Sequence, residues 1–211
     1  MFFLNFCHAF KQTNKNSPSC LTKVFRADEV HQAVKQMHSK KSHGPDGMFP
    51  LFYQHFWILS GECVTKAIQD YLNLGITTPP PPPPPPNFNE THIVLISKMK
   101  NPTKLTQYKP ISLSNVISRL ASKVLANRLK RFLPSIISEN QSAFMSDHLI
   151  TDNVLVAFET MHCLNQEKKG KTGEMALKLN MNKAFDQVEW RYLQDIMKKM
   201  GFNDRWVTLM M

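Results

Sequence analysis

Leu177 to Trp190 reads LKLNMNKAFDQVEW, and two periodicities meet inside it. Starting at Met175, the apolar residues Met175, Leu177, Leu179 and Met181 alternate with Ala176, Lys178 and Asn180. That period of two predicts a strand over 175–181, with Asn180 on the face opposite Leu177 and Leu179. Asp186 and Glu189 then stand three residues apart, ahead of a stripe made by Leu193, Ile196, Met197 and Met200. This is the pattern of a capping box opening a helix, which Gly201 stops. A strand running into an amphipathic helix makes the chain an α+β protein, and the upstream sequence makes it mostly helical.

Upstream, Asp28 to Met37 has Val30, Ala33, Val34 and Met37 at helical spacing, with acids in the first turn. Gly44-Pro45-Asp46-Gly47 is a turn, because Pro presets φ and Gly tolerates positive φ. Helices are predicted over Pro50–Trp57 and Glu62–Leu74, separated near Gly61 and ended by Gly75. His92 to Ser97 is a short apolar strand. Ser114 caps a helix to Phe132, with Ile117, Leu120, Ala121, Val124, Leu125, Leu129 and Phe132 in one stripe. Thr151 or Asp152 opens another helix, with Val154, Leu155, Phe158 and Met161 inward. Residues 167–173 (EKKGKTG) form a basic turn, and no internal repeat is visible.

Eight prolines, Pro79 to Pro86, break this pattern. They form polyproline II, which can either serve as a ligand for a proline-binding domain or act as a stiff spacer. No basic residue flanks the run to set a docking orientation, which favours the spacer.

The 211 residues carry a formal net charge of +10, and 42% of them are hydrophobic, enough for a sizeable core. The charge is concentrated. No Asp or Glu occurs from Thr91 to Ser138, whereas Lys98, Lys100, Lys104, Lys109, Arg119, Lys123, Arg128, Lys130 and Arg131 all fall there. Such a stretch is expected to meet a polyanion, RNA or DNA.

Cys7, Cys20, Cys63 and Cys163 lack zinc-knuckle spacing and read as reduced, mostly buried thiols of an intracellular protein. Nothing distinguishes nucleus from cytoplasm. His38 and His43 have no carboxylate or thiol beside them and are not expected to bind metal. No apolar run approaches a membrane span. The apolar start, Met1 to Phe10, lacks a basic leader and a cleavage site, so no signal peptide is read there. No feature points to an oligomer.

Seven motifs in register carry a further inference. They are Gly44-Pro45-Asp46-Gly47 with Leu51-Phe52-Tyr53; residues 93–98 (IVLISK); 109–115 (KPISLSN); 123–129 (KVLANRL); 141–144 (QSAF); 150–154 (ITDNV); and 177–190. Their order and spacing resemble the reverse transcriptase of plant LINE-type (non-LTR) retrotransposons. The resemblance runs from about Phe25 onward. It implies an irregular segment over 1–24, then a partial reverse transcriptase domain over 25–211 interrupted by the polyproline run. Its fold would be a partial right-hand polymerase, the fingers plus the first palm strand.

The resemblance also implies site residues. Lys98 and Lys109 match fingers positions near the incoming triphosphate or the template backbone. Asn180 matches the first palm carboxylate, a magnesium ligand in the intact family, and Phe185 the bulky side chain that screens a ribose 2′-hydroxyl. The departures are specific. Asn180 replaces Asp, Lys109 replaces Arg, Ser97 replaces a Pro, and Ser146-Asp147-His148 replaces a Pro-Gly-Arg. Magnesium wants anionic oxygen ligands, and Asn180 offers a neutral carbonyl. Asp186 lies beyond the strand, where helix capping is its expected job. The later motif with adjacent aspartates does not occur before Met211.

These readings lead to the expectation of a degenerate RNA-directed DNA polymerase fragment with a basic nucleic-acid-binding face, no functional cofactor and no catalysis. A repurposed nucleic-acid-binding protein and a proline-motif interaction protein are the alternatives. The helices over 116–132 and 154–161 are expected to be more stable than the region after Glu167.

Overall fold

The computed structural model describes residues 21–73, 88–138, 141–142, 149–166, 175–178 and 186–211. Asn180, Phe185 and the polyproline run lie outside them. The chain divides into two compact units, Lys23–Arg128 and Met1–Thr22 together with Leu129–Met211. The described elements are helical apart from one two-stranded sheet, so the chain is α+β and mostly helical.

In the Lys23–Arg128 unit, helices α1 (Ala27–Lys35), α2 (Pro50–His55) and α3 (Trp57–Leu72) pack on one another. Phe25, Val30, Ala33, Val34, Ile68 and Leu72 are fully buried there. Gln54 of α2 closes the end of α1 by donating through Nε2 to the carbonyls of Val34 (2.9 Å) and Met37 (2.7 Å). These are carbonyls that a helix C-terminus otherwise leaves without partners.

The break expected near Gly61 falls instead at Phe56, whose φ and ψ of −97° and 27° leave the helical region. Gly61 sits inside α3 because the Trp57 indole occupies its side-chain space. A Cβ at Gly61 would stand 2.7 Å from Trp57 Cε2.

Strands β1 (Thr91–Ser97) and β2 (Tyr108–Ser114) pair antiparallel, with Thr91 opposite Ser114, Val94 opposite Ile111 and Ser97 opposite Tyr108. A 3-10 turn, Leu105–Gln107, leads into β2. Helix α4 (Val116–Lys130) follows, burying Val116, Leu120, Ala121, Val124 and Leu125. Ser114, expected as its cap, ends β2. Asn115 begins the helix, and its carbonyl accepts from the Arg119 N–H at 3.1 Å.

The second unit holds α5 (Leu133–Ile136), α6 (Ile150–Gln166), α7 (Trp190–Lys199) and α8 (Asp204–Met210). Helix α7 starts later than expected. Its N-cap is Glu189, and Asp186 lies in a preceding turn. The inner stripe is as expected, with Met197 buried and Leu193, Ile196 and Met200 half-buried. Gly201 ends the helix at φ +83°, its N–H donating to Lys198 O (3.0 Å) and that of Phe202 to Met197 O (3.1 Å). That pair is a Schellman cap, which needs a residue tolerant of positive φ. In α8, Asn203 caps by accepting from the Arg205 N–H, and Trp206 and Val207 are buried.

Three expectations are corrected in this unit and in α3. The α6 stripe is not inward, since Val154, Leu155, Phe158 and Met161 are 53–70% exposed. An amphipathic stripe predicts a helix, but burial also requires a covering element, and none of the described elements covers this one. Residues 175–178 make no sheet pairing. A strand needs a hydrogen-bonding neighbour, and the described part of the chain supplies none at that point. The rest of the predicted strand lies outside the described residues. Two of the four cysteines also differ, Cys7 and Cys20 lying outside the described residues. Cys63 and Cys163 are exposed free thiols, on solvent-facing positions of α3 and α6.

Candidate nucleic-acid interface

The basic span folds as a hairpin followed by a helix. In the hairpin, Lys98, Lys100, Lys104 and Lys109 are all exposed. Lys98 stands just past β1. Its backbone N–H donates to Gln107 O (2.8 Å) and its Nζ to Thr106 O (3.0 Å), which ties the loop across its own base. Gln107 Oε1 accepts from the N–H groups of Thr103 (2.6 Å) and Lys104 (3.0 Å). Lys100 and Lys104 thus stand exposed on a tied loop. Lys109 lies in β2 opposite Ile96, on the strand face that also carries Val94 and Ile111.

Arg119 and Lys123, four residues apart, share a face of α4 and are half-buried. Two guanidinium nitrogens of Arg119, Nε and Nη2, are buried without a hydrogen-bond partner. Burial holds this guanidinium below its ordinary range, and the Asp46 carboxylate works in the opposite direction. Lys130 and Arg131, at the end of α4, are exposed.

Arg128 is placed differently from its expected role. It is 7% exposed. Its Nε and Nη2 reach the two carboxylate oxygens of Glu29 at 2.6 and 2.7 Å. Its Nη1 and Nη2 donate to the carbonyls of Lys23 (2.6 Å) and Val24 (2.9 Å). The guanidinium carbon lies 3.5 Å from the centre of the Phe25 ring. Four of the five N–H donors of this buried guanidinium are engaged within the unit, so Arg128 fastens α4 to the start of α1.

Behind the hairpin, the Gly44–Gly47 turn closes on the β2–α4 junction. Gly47 N–H donates to Gly44 O (3.1 Å), and Gly47 has φ +69°. The Asp46 N–H donates to Asn115 Oδ1 (3.2 Å), and Asp46 Oδ1 accepts from the Met48 N–H (3.1 Å). A Cβ on Gly44 would lie 2.5 Å from Asn115 N. The turn is therefore a clasp that sets where α4 begins. Tyr53, buried nearby, has its hydroxyl pushed above the ordinary range by burial and by Asp46. The sequence offered Gly44–Gly47 as a turn, but nothing in it announced the partner at Asn115.

Among the described residues, no three His, Cys, Asp or Glu side chains converge as a metal site would require. No described helix is long and apolar enough to cross a membrane.

The reverse transcriptase (RNA-dependent DNA polymerase) family matches this chain over residues 96–211, more than half of its length. The chain belongs to that family. It is also 27% identical, along 182 residues, to the Transposon TX1 uncharacterized 149 kDa protein of Xenopus laevis. The aligned part covers 85% of this chain and 13% of that protein. Both likenesses agree with the transposon reverse transcriptase that the seven motifs resemble. The matched segment contains Lys98, Lys109 and all of α4, the elements that carry the basic side chains.

Proposed function

We propose that this chain is a degenerate reverse transcriptase segment of a non-LTR retrotransposon, forming fingers and the beginning of a palm, that binds RNA or DNA without polymerising. The observation that carries the binding is the acid-free span with Lys98, Lys109, Lys123, Lys130 and Arg131 at or near solvent. Phosphate neutralisation by such side chains supplies affinity without sequence preference. Arg128 is left out of this face, and Arg119 is placed at its inner margin.

The donor chemistry at position 180 carries the loss of catalysis. Nucleotidyl transfer by two divalent ions relies on carboxylate oxygens. Asn180 brings a neutral amide to that position, so it does not fit magnesium as the family's aspartate does, and no metal-dependent step is assigned to it. Phe185 remains a proposed sugar gate by resemblance alone. The exposed thiols Cys63 and Cys163 suit a reducing, intracellular compartment.

Purified chain incubated with primer–template, nucleotides and magnesium or manganese tests both halves. The expected result is a retarded complex and no extended primer. Template-directed extension above a matched blank preparation would overturn the reading.

A further inference from the structure

A second surface lies in the part of the chain that precedes the family match. Phe49, Leu51, Phe52, His55 and Phe56 line a groove of about 650 Å³ together with Ser39 and Lys40. The three phenylalanines are 37–44% exposed and Leu51 is 51% exposed. Phe52 lies in α2, Phe49 and Phe56 are the residues that cap its two ends, and all three line the groove. The Phe52 and Phe56 ring centroids are 5.2 Å apart, and the His55 ring meets Phe56 at 4.8 Å. Core residues of a small helical unit do not ordinarily leave three phenylalanines this open.

The charge around the groove selects its occupant. Asp46 is the one acid between Val30 and Gly61, whereas Lys35, Lys40 and Lys41 fall in the same segment. The Asp46 carboxylate is held in the turn, where it accepts from the Met48 N–H. No carboxylate lines the groove, and Lys40 stands at its rim. An apolar helix of a protein partner would need no cations, and a basic partner would be repelled. Aromatic faces beside a lysine, with no carboxylate in the lining, are a combination that suits unpaired bases, since every base has a π-face and every nucleotide a phosphate.

We infer that this groove is a subsite for single-stranded nucleic acid, in which bases stack on Phe52 and Phe56 while Lys40 meets the backbone. The inference deepens the proposed function and rests on it. The lysines of residues 98–131 supply affinity for any phosphate backbone, and the phenylalanines add a preference for strands whose bases are free.

The test compares a single-stranded oligonucleotide carrying 2-aminopurine with a duplex of the same sequence. Both are titrated with the full chain, with Phe52→Leu/Phe56→Leu and with Phe52→Tyr/Phe56→Tyr. The wild-type chain is expected to bind the single strand more tightly and to quench 2-aminopurine. The leucine pair keeps apolar bulk and removes the π-faces, so it is expected to lose roughly tenfold in single-strand affinity and leave duplex affinity unchanged. The tyrosine pair is expected to retain both. Single-strand affinity unchanged in the leucine pair would overturn the subsite and point to an apolar protein ligand, while salt-dependent duplex binding left the proposed function standing. An equal loss for both nucleic acids would also overturn it, since that reports a disturbed fold. Failure of the wild-type chain to bind either would remove the proposed function and this inference together.

Discussion

Arg128 lies over the ring of Phe25, its guanidinium carbon 3.5 Å from the ring centre. Phe25 is itself pinned from α3. Its N–H donates to Asn73 Oδ1 (2.9 Å), and its carbonyl accepts from Gln69 Nε2 (2.9 Å). One residue thus joins the entry of α1, the end of α3 and the last turn of α4. The Glu29 carboxylate completes the join, because it also accepts from the Arg26 N–H at 2.9 Å.

Arg128→Ala is therefore expected to act on stability. It takes the Arg128 donors away from a mostly buried carboxylate and from two carbonyls, a loss of about 3 kcal/mol. Arg128→Lys should recover only part of this, because an ammonium cannot grip Glu29 with two parallel bonds. Urea unfolding of the two variants checks the order. A midpoint for Arg128→Ala equal to that of wild type would show that the buried pair adds nothing.

The Gly44–Gly47 clasp predicts two unequal penalties. Gly44→Ala drives a methyl group to 2.5 Å from Asn115 N, against backbone that cannot step aside. Gly47→Ala meets no atom within 4 Å and carries only the strain of φ +69°. The Gly47 change should cost about 1 kcal/mol, and the Gly44 change more than that. Thermal melts of the two variants give the ranking, and the reverse ranking would contradict the clasp.

Tyr53 predicts an alkaline weakness. Burial and Asp46 raise its pKa in the folded chain above the ordinary value of 10.0. An acid whose folded pKa is raised binds its proton more tightly when folded, so the unfolded state loses that proton first as pH rises. Its contribution is whole below pH 10 and is lost as pH climbs through the folded pKa. Tyr53→Phe should flatten the fall in stability above pH 10, as measured by denaturant midpoints at stepped pH. Identical profiles for the two chains would show that Tyr53 ionises freely.

How much was legible in the sequence depended on whether a residue answers to its own periodicity or to a distant partner. The α4 stripe and the α7 stripe came from spacing alone. Arg128 could have been found the same way. It stands seven, four and three residues after Ala121, Val124 and Leu125, which places it on the buried face, but its charge suggested the surface instead. Glu29, its partner, lies 99 residues away, and no local rule connects them. Strand β2 was hidden by Pro110, which is tolerated because a two-stranded sheet consists of edges. The α6 stripe failed for the opposite reason. Its periodicity was real, but the burial it promised requires a surface that the described chain does not present.

That exposed helix carries its own prediction. An isolated helix of 17 residues is marginal in water when no packed face supports it. Amide hydrogens over 154–162 are expected to exchange far faster than those over 120–128 of α4, with α7 and α8 between them. The exposure of the α6 stripe thereby reverses the order of stability that its periodicity led us to expect for it and the region after Glu167. Protection of α6 equal to that of α4 would mean that its apolar face is covered in solution.

The account stands or falls on where the phosphates sit. Binding of a single-stranded oligonucleotide is measured across a salt series for wild type, for Lys98, Lys109, Lys123, Lys130 and Arg131 changed together to Gln, and for Arg128→Lys. If each of the five side chains meets one phosphate, the slope of log affinity against log salt should shrink by roughly 3 to 4 in the fivefold variant. Arg128→Lys should keep the wild-type slope at temperatures where it remains folded. A fivefold variant with an unchanged slope, or an Arg128 variant whose slope falls, would contradict the assignment of the exposed lysines to nucleic acid and of Arg128 to the core.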